Sequence, residues 1–160
     1  MADMLVNLYR LSQQDPSPLK EKGVFIKRVL PPDKSKVLAF IRGQFQEGWA
    51  DECEHALSHD PPSCYIAVRD KKILGFACYD ATAKGYFGPT VVDPSQRRKG
   101  IGAALLHACL NSMREQGYGY AIIGWTAKDA IPFYQKEAGA VLIENSEPEN
   151  SIYSNMIEFD

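Results

Sequence analysis

Apolar positions recur along this chain with two periods, and their order sketches most of its elements. Residues 4 to 11, Met-Leu-Val-Asn-Leu-Tyr-Arg-Leu, partly alternate and predict an extra strand. A loop follows from Gln13 to Gly23, with Pro16 and Pro18. Val24 to Leu30 alternates as a strand. Pro31-Pro32-Asp33 stops it, and Asp33 stands where it can cap the next helix. That helix carries Val37, Leu38, Ile41 and Phe45 on one face. A second helix, from about Trp49 to Ser58, turns Trp49, Cys53, Ala56 and Leu57 inward, with Glu52 on the border of that face. His59-Asp60-Pro61-Pro62 ends it.

A meander comes next. Cys64 to Arg69 and Ile73 to Tyr79 read as strands joined by Asp70-Lys71-Lys72. Gly85 to Val92 is another strand. Its Pro89 cannot donate to a ladder and so marks an edge, a bulge or a break. The main helix runs from about Ile101 to Gln116 and stops at Gly117. Tyr120 to Trp125 is a buried strand, Ala127 to Glu137 a helix, and Val141 to Glu144 and Ile152 to Phe159 two final strands. The pattern predicts one α/β (α+β mixed) domain over residues 1–160, with a mixed sheet and helices on both faces. Residues 1–23 are an N-terminal extension to it.

Composition fits an ordinary globular chain: 45% apolar, 24% charged and a formal net charge of −2, which argues against a broad nucleic-acid footprint. The placement of charge says more. Gly43 to Val68 holds no Lys or Arg but five acids, Glu47, Asp51, Glu52, Glu54 and Asp60. Glu137 to Asp160 again lacks Lys and Arg. The strongest basic cluster is Arg97-Arg98-Lys99. Cys53, Cys64, Cys78 and Cys109 have no metal-type spacing, so no metal is expected and the thiols read as reduced and buried. No secretory signal or membrane-length apolar run is visible, which points to a cytoplasmic protein without a membrane partner.

The basic cluster lies in Gln96-Arg-Arg-Lys-Gly-Ile-Gly-Ala103, between a strand and a helix start. Backbone N–H groups and the positive helix end converge there, and Gly100 and Gly102 admit a ligand close to the backbone. The natural guest is a phosphate or pyrophosphate. A Walker loop is absent, and a dinucleotide fingerprint would need Gly where Leu105 stands.

The loop matches Arg/Gln-x-x-Gly-x-Gly/Ala as Arg97-x-x-Gly100-x-Gly102. In this it resembles the GCN5-related N-acetyltransferases. Val92-Asp93-Pro94 is similar to that family's strand exit, and Ala130-Ile-Pro-Phe-Tyr134 with Gly139 to its Ala-x-x-(apolar)-Tyr-x-x-x-Gly helix. The resemblance spans about residues 24 to 160, most strongly 86 to 140. Ala127 replaces a frequent Asn, and Gly139-Ala140 a usual Gly-Phe. The resemblance implies acetyl-CoA as cofactor, held between two parallel strands that part at a bulge. Val91, Val92, Arg97, Arg98, Lys99, Gly100, Ile101, Gly102 and Ala103 are its expected contacts. It also implies direct acetyl transfer to a primary amine of a small molecule, with Tyr134 protonating the departing thiolate. The general base stays open among Glu52, Asp80, His55 and Glu47, with Glu52 preferred because it borders an apolar helix face in the acidic segment. Trp49 and Tyr79 are wall or core. The rival readings are a protein lysine or N-terminal acetyltransferase and a non-catalytic acyl-CoA-binding module. Terminal strands could pair with a second copy to form a homodimer.

Overall fold

The computed structural model describes residues 1–158. In chain order its elements are β1 (Met4–Asn7), α1 (Ser17–Glu21), β2 (Phe25–Arg28), α2 (Lys34–Arg42), α3 (Glu47–Leu57), β3 (Cys64–Arg69) and β4 (Lys72–Tyr79). Then come β5 (Tyr86–Val92), α4 (Ile101–Glu115), β6 (Tyr120–Ile123), α5 (Ile131–Ala138) and β7 (Val141–Leu142). Seven strands make one mixed sheet in the order β2-β3-β4-β5-β6-β1-β7. Every pairing is antiparallel except β5 with β6.

Alternation along β4 separates two cores. Ala77 and Tyr79 join α4, β1, β6 and Tyr134 on one face, while Phe76 and Cys78 join α2 and α3 on the other. In α2, Val37, Leu38 and Ile41 recur at helical spacing and are buried. On the opposite face α4 lies close over β4 because residue 75 is glycine. A Cβ there would stand 2.8 Å from the Val91 carbonyl oxygen and 3.2 Å from Leu105 Cδ1. This contact seats the helix whose first turn follows the glycine loop.

Several expectations change. The segment 13–23 is not all loop: Ser17–Glu21 is helical, and Pro18 sits in the first turn, where its missing N–H costs nothing. Asp33 does not cap α2. It belongs to a 3₁₀ turn, and its Oδ1 accepts from Lys36 Nζ at 3.4 Å instead. Phe45 lies beyond the end of α2. The strand expected over 152–159 is absent at Ile152–Asn155, which form a 3₁₀ turn, while Phe159 lies outside the described residues. The reason lies in the sheet. β1 already occupies the edge of β6, and β7 covers the start of β1. The N-terminal segment is therefore an interior strand, with Met4 and Val6 fully buried. Its first residues are paired on both edges and offer none to a second chain.

His107, on the inner face of α4, is 2% exposed. Its Nε2 faces the Glu137 carboxylate of α5 at 3.8 Å, too far for a hydrogen bond, and neither ring nitrogen has a hydrogen-bond partner among the described residues. Burial lowers its pKa, and the Glu137 carboxylate opposes this only in part. The folded state therefore resists a proton that the unfolded chain accepts below about pH 6.5. Stability is full above that pH and declines as pH falls through it toward the lower folded pKa. His107→Leu is expected to reduce the loss of denaturation midpoint between about pH 7.5 and about pH 5.5. An unchanged difference in urea melts of the variant would contradict this account.

Candidate active site

The parallel ladder between β5 and β6 lasts two residues, Tyr86 with Ile122 and Phe87 with Ile123. Beyond it the strands part. On the other edge of β5 the ladder to β4 shifts register between Ala77–Thr90 and Tyr79–Phe87, so an extra residue is taken up at Gly88-Pro89. The break read from Pro89 is thus a bulge, and the sheet opens there.

Alternation decides which backbone groups face the opening. Asp93 N–H donates to Leu74 on β4 at 2.8 Å, and the Val91 carbonyl lies against Gly75. Residues 91 and 93 are therefore turned toward β4, and Thr90 and Val92 toward the cleft. The Val92 carbonyl accepts from Arg97 Nε at 3.2 Å. Thr90 escaped the sequence reading because strand period alone does not say which edge a residue's backbone serves.

The glycine loop closes the open end. Asp93 accepts from both the N–H and the hydroxyl of Ser95, and Gln96 Oε1 accepts from Arg69 and Lys99. Arg98 (φ 62°) and Gly100 (φ 86°) both take the left-handed conformation, which turns the chain sharply into α4. No side chain caps that helix, and the first intrahelical bond runs from Ala104 N–H to Gly100. The N–H groups of Ile101, Gly102 and Ala103 are thus left without intrahelical acceptors at the positive end of a fifteen-residue helix. A Cβ at Gly100 would meet nothing within 4 Å, and one at Gly102 only Val92 Cγ2 at 3.7 Å and Phe133 Cζ at 3.8 Å. The loop is therefore an open cradle, with Arg97, Arg98 and Lys99 exposed around it and in no ion pair among the described residues. The residues present fit a pyrophosphate.

Tyr134 stands at the root of the cleft. Its ring meets Phe87, the last residue paired with β6, edge-on at 6.3 Å between centroids. It is 8% exposed, and burial pushes its pKa up to about 12. Its hydroxyl makes no hydrogen bond among the described residues. Gly139, in the left-handed conformation, ends the helix, one residue later than the Tyr-x-x-x-Gly spacing would place it.

On the opposite face, Glu52 projects from α3 and accepts from Thr82 Oγ1 at 2.6 Å. Burial raises its pKa most. The Thr82 bond opposes this, and Asp51 adds to it. The Glu52 carboxylate also acts electrostatically on Tyr153, whose ring packs on Trp125 at 5.0 Å and edge-on to Tyr86 at 6.5 Å. Gly124, just past the end of β6, makes room for the Tyr153 hydroxyl. Tyr86, Trp125 and Tyr153 had no sequence motif to mark them.

The other base candidates are committed elsewhere. Asp80 accepts from Gly85 N–H and Tyr118. Glu47 is exposed and pairs with Arg42 at 3.5 Å. His55 meets His59 at 3.3 Å and lines a cavity of about 700 Å³ with Arg28, Ser112 and Gln116. That cavity adjoins the C-terminal end of α4, about 20 Å from the glycine loop. Tyr79 is fully buried and accepts from Arg28 and Gln116, so it is core. Trp49 stacks on Phe45.

Among the described residues no helix is long and apolar enough to cross a membrane. The sequence profile of the acetyltransferase (GNAT) family matches residues 34–140. No curated protein matches. Among solved structures, the glucosamine N-acetyltransferase region of a fungal multi-domain β-N-acetylglucosaminidase superposes with a TM-score of 0.71 at 13% identity, over 89% of this chain and 19% of that one. A GCN5-related N-acetyltransferase from Sphaerobacter thermophilus gives 0.70 at 20%, over 89% and 48%. An aminoglycoside acetyltransferase from a soil metagenome, solved with sisomicin, gives 0.54 at 19%, over 73% and 88%. The chain spans less than half the length of the first two, and at these identities the likeness is one of fold. The profile covers more than half of the chain, including the parted strands, the glycine loop and the tyrosine helix, and the chain belongs to the acetyltransferase (GNAT) family.

Proposed function

We propose that this protein transfers an acetyl group from acetyl-CoA directly to a primary amine of a small molecule. The observation that carries the reading is the continuous path from the glycine cradle, along the free edge of β5, to an unpartnered Tyr134 hydroxyl. Arg97 to Ala103 would hold the pyrophosphate through backbone N–H groups, with the three basic side chains adding charge. Val92 and Thr90 would offer strand-edge hydrogen bonds to the amides of the pantetheine arm, as in strand addition, with Val91 as side-chain wall.

Acetyl-CoA when bound supplies the acetyl group as a thioester. The amine must be neutral to attack, and the departing sulfur gains from a proton. Tyr134 is suited to give that proton, since its buried phenol stays protonated at neutral pH. Glu52, on the opposite face, would receive the proton from the incoming ammonium, directly or through water. Tyr153, with Tyr86 and Trp125 packed against it, would form an aromatic wall suited to a cationic group. The acidic run on α3 would draw such an acceptor in.

The proposal is tested by thiol release from acetyl-CoA over a panel of amino sugars, polyamines, amino acids and aminoglycosides. Turnover with one of these supports it. Turnover only with protein or peptide amines, or binding without turnover, replaces it with one of the rival readings. Gly102→Val has room for its Cβ, so it should fold with a near-native melting temperature. It should also bind acetyl-CoA more than about tenfold more weakly, a change of about 1.4 kcal/mol by calorimetry. Unchanged affinity would move the pyrophosphate off the loop. Tyr134→Phe is expected to lower kcat about a hundredfold with little change in acetyl-CoA affinity. Wild-type turnover would show that another group protonates the sulfur. Glu52→Gln is expected to depress turnover at saturating amine. A rise confined to the acceptor KM would reduce Glu52 to electrostatic attraction.

A further inference from the structure

Beneath α3, on its inner side, three sulfurs converge. Cys53 comes from α3, Cys64 from β3 and Cys78 from β4, and all three are fully buried. Cys64 and Cys78 are directly opposed across the antiparallel ladder, so their side chains share one face. The helix lowers Cys53 onto that pair. The three Sγ atoms lie within 4.8 Å of one another, with Cys53 and Cys64 at 3.9 Å. Sequence spacing gave no hint of this, because the three elements meet only in the folded sheet.

Burial alone does not gather thiols in this way. Cys109 is just as buried, but in the other core, across the sheet. The core around the three sulfurs is otherwise apolar, and among the described residues the only polar contact outside the group is a 3.9 Å approach of Cys64 to the Tyr65 carbonyl. No His, Asp or Glu joins the group among the described residues.

The geometry points to a binding site for a soft d10 metal cation held by three sulfurs, Cys53, Cys64 and Cys78. Thiolates select soft ions, and a hard ion such as Mg²⁺ or Ca²⁺ finds no oxygen here. At the Zn–S length of about 2.3 Å, a three-coordinate ion at the centre separates its sulfurs by about 4.0 Å, and a larger ion such as Cd²⁺ separates them somewhat more. The Cys53–Cys64 distance already meets this, and the remaining closure is less than about 1 Å. Zn²⁺ in a structural site asks for a fourth ligand, which these residues do not supply. Cd²⁺ and Cu⁺ accept three. For a divalent ion the balance is one cation in and three thiol protons out to solvent, leaving one net negative charge on the site. No electron is transferred. The ion would tie α3 to the sheet one residue from Glu52.

The test uses Cd²⁺ on the reduced full-length protein, added both to the native state and during refolding from urea, so that a closed entry path cannot hide binding. The expected result is one ion per chain, a sulfur-to-cadmium charge-transfer band in the ultraviolet, and a raised melting temperature. Cys53→Ala, Cys64→Ala and Cys78→Ala, each checked for native circular dichroism, should lower affinity more than about tenfold. They should also lose the melting shift, while Cys109→Ala keeps both band and shift. If a single substitution prevents folding, the wild-type and Cys109→Ala titrations still decide. The site is overturned by no band in the wild type under either protocol, or by equal loss in Cys109→Ala. Equal retention in the other three variants would also overturn it.

Discussion

Two residues of parallel ladder, Tyr86 with Ile122 and Phe87 with Ile123, set the arrangement on which the rest depends. A parallel pair normally continues as long as both strands do. Here the bulge at Gly88-Pro89 turns β5 away, and β6 ends at Ile123. Backbone groups that would have paired are left facing a gap, and such groups are costly unless something satisfies them. An extended ligand with amides can do so. The same parting sets Phe87 at the fork and Tyr134 against it. β5 ends directly before the glycine loop, so the strand whose ladder to β6 has parted leads into the cradle.

The other face supplies a different chemistry. Its helices α2 and α3 bury an apolar core against β3, β4 and β5, and α3 runs along the border between that core and the site. Successive residues of α3 face different tasks. Glu52 turns toward Thr82 and acts electrostatically on Tyr153, against which Tyr86 and Trp125 pack, and Cys53 turns inward to two other sulfurs. A carboxylate partly withdrawn from water beside aromatic rings suits an amine that arrives charged and must leave its proton behind. The cavity at the far end of α4 has a separate character. There the Arg28 guanidinium is spent on the Pro62 carbonyl and the hydroxyls of Tyr65, Tyr79 and Ser112.

The half of the candidate site proposed for the cofactor was legible because each part had a local signal. The loop had glycines and charge between a strand and a helix. Pro89 announced the bulge through its missing donor. Tyr134 had the motif's spacing from Ala130, with a helix-ending Gly139 close behind it. The half proposed for the acceptor was less legible. Glu52 could be picked out by its place on an amphipathic helix, but Tyr86, Trp125 and Tyr153 meet only through the sheet. Strand order hid more. Residues 4 to 7 read as an optional addition, yet β1 is an interior strand, and its presence removes the edge a C-terminal strand would need. The cysteine cluster was invisible for the same reason, since register and helix placement, not spacing, bring the sulfurs together.

Amide hydrogen exchange with and without coenzyme A tests the central claim most directly, because it reports on the backbone groups the parted strands leave free. The account predicts slowed exchange at Thr90 and Val92 and across Gly100 to Ala103, with no change around Arg28, His59 and Gln116. Unchanged exchange at the strand edge and the loop would contradict it, as would protection confined to the cavity at the far end of α4.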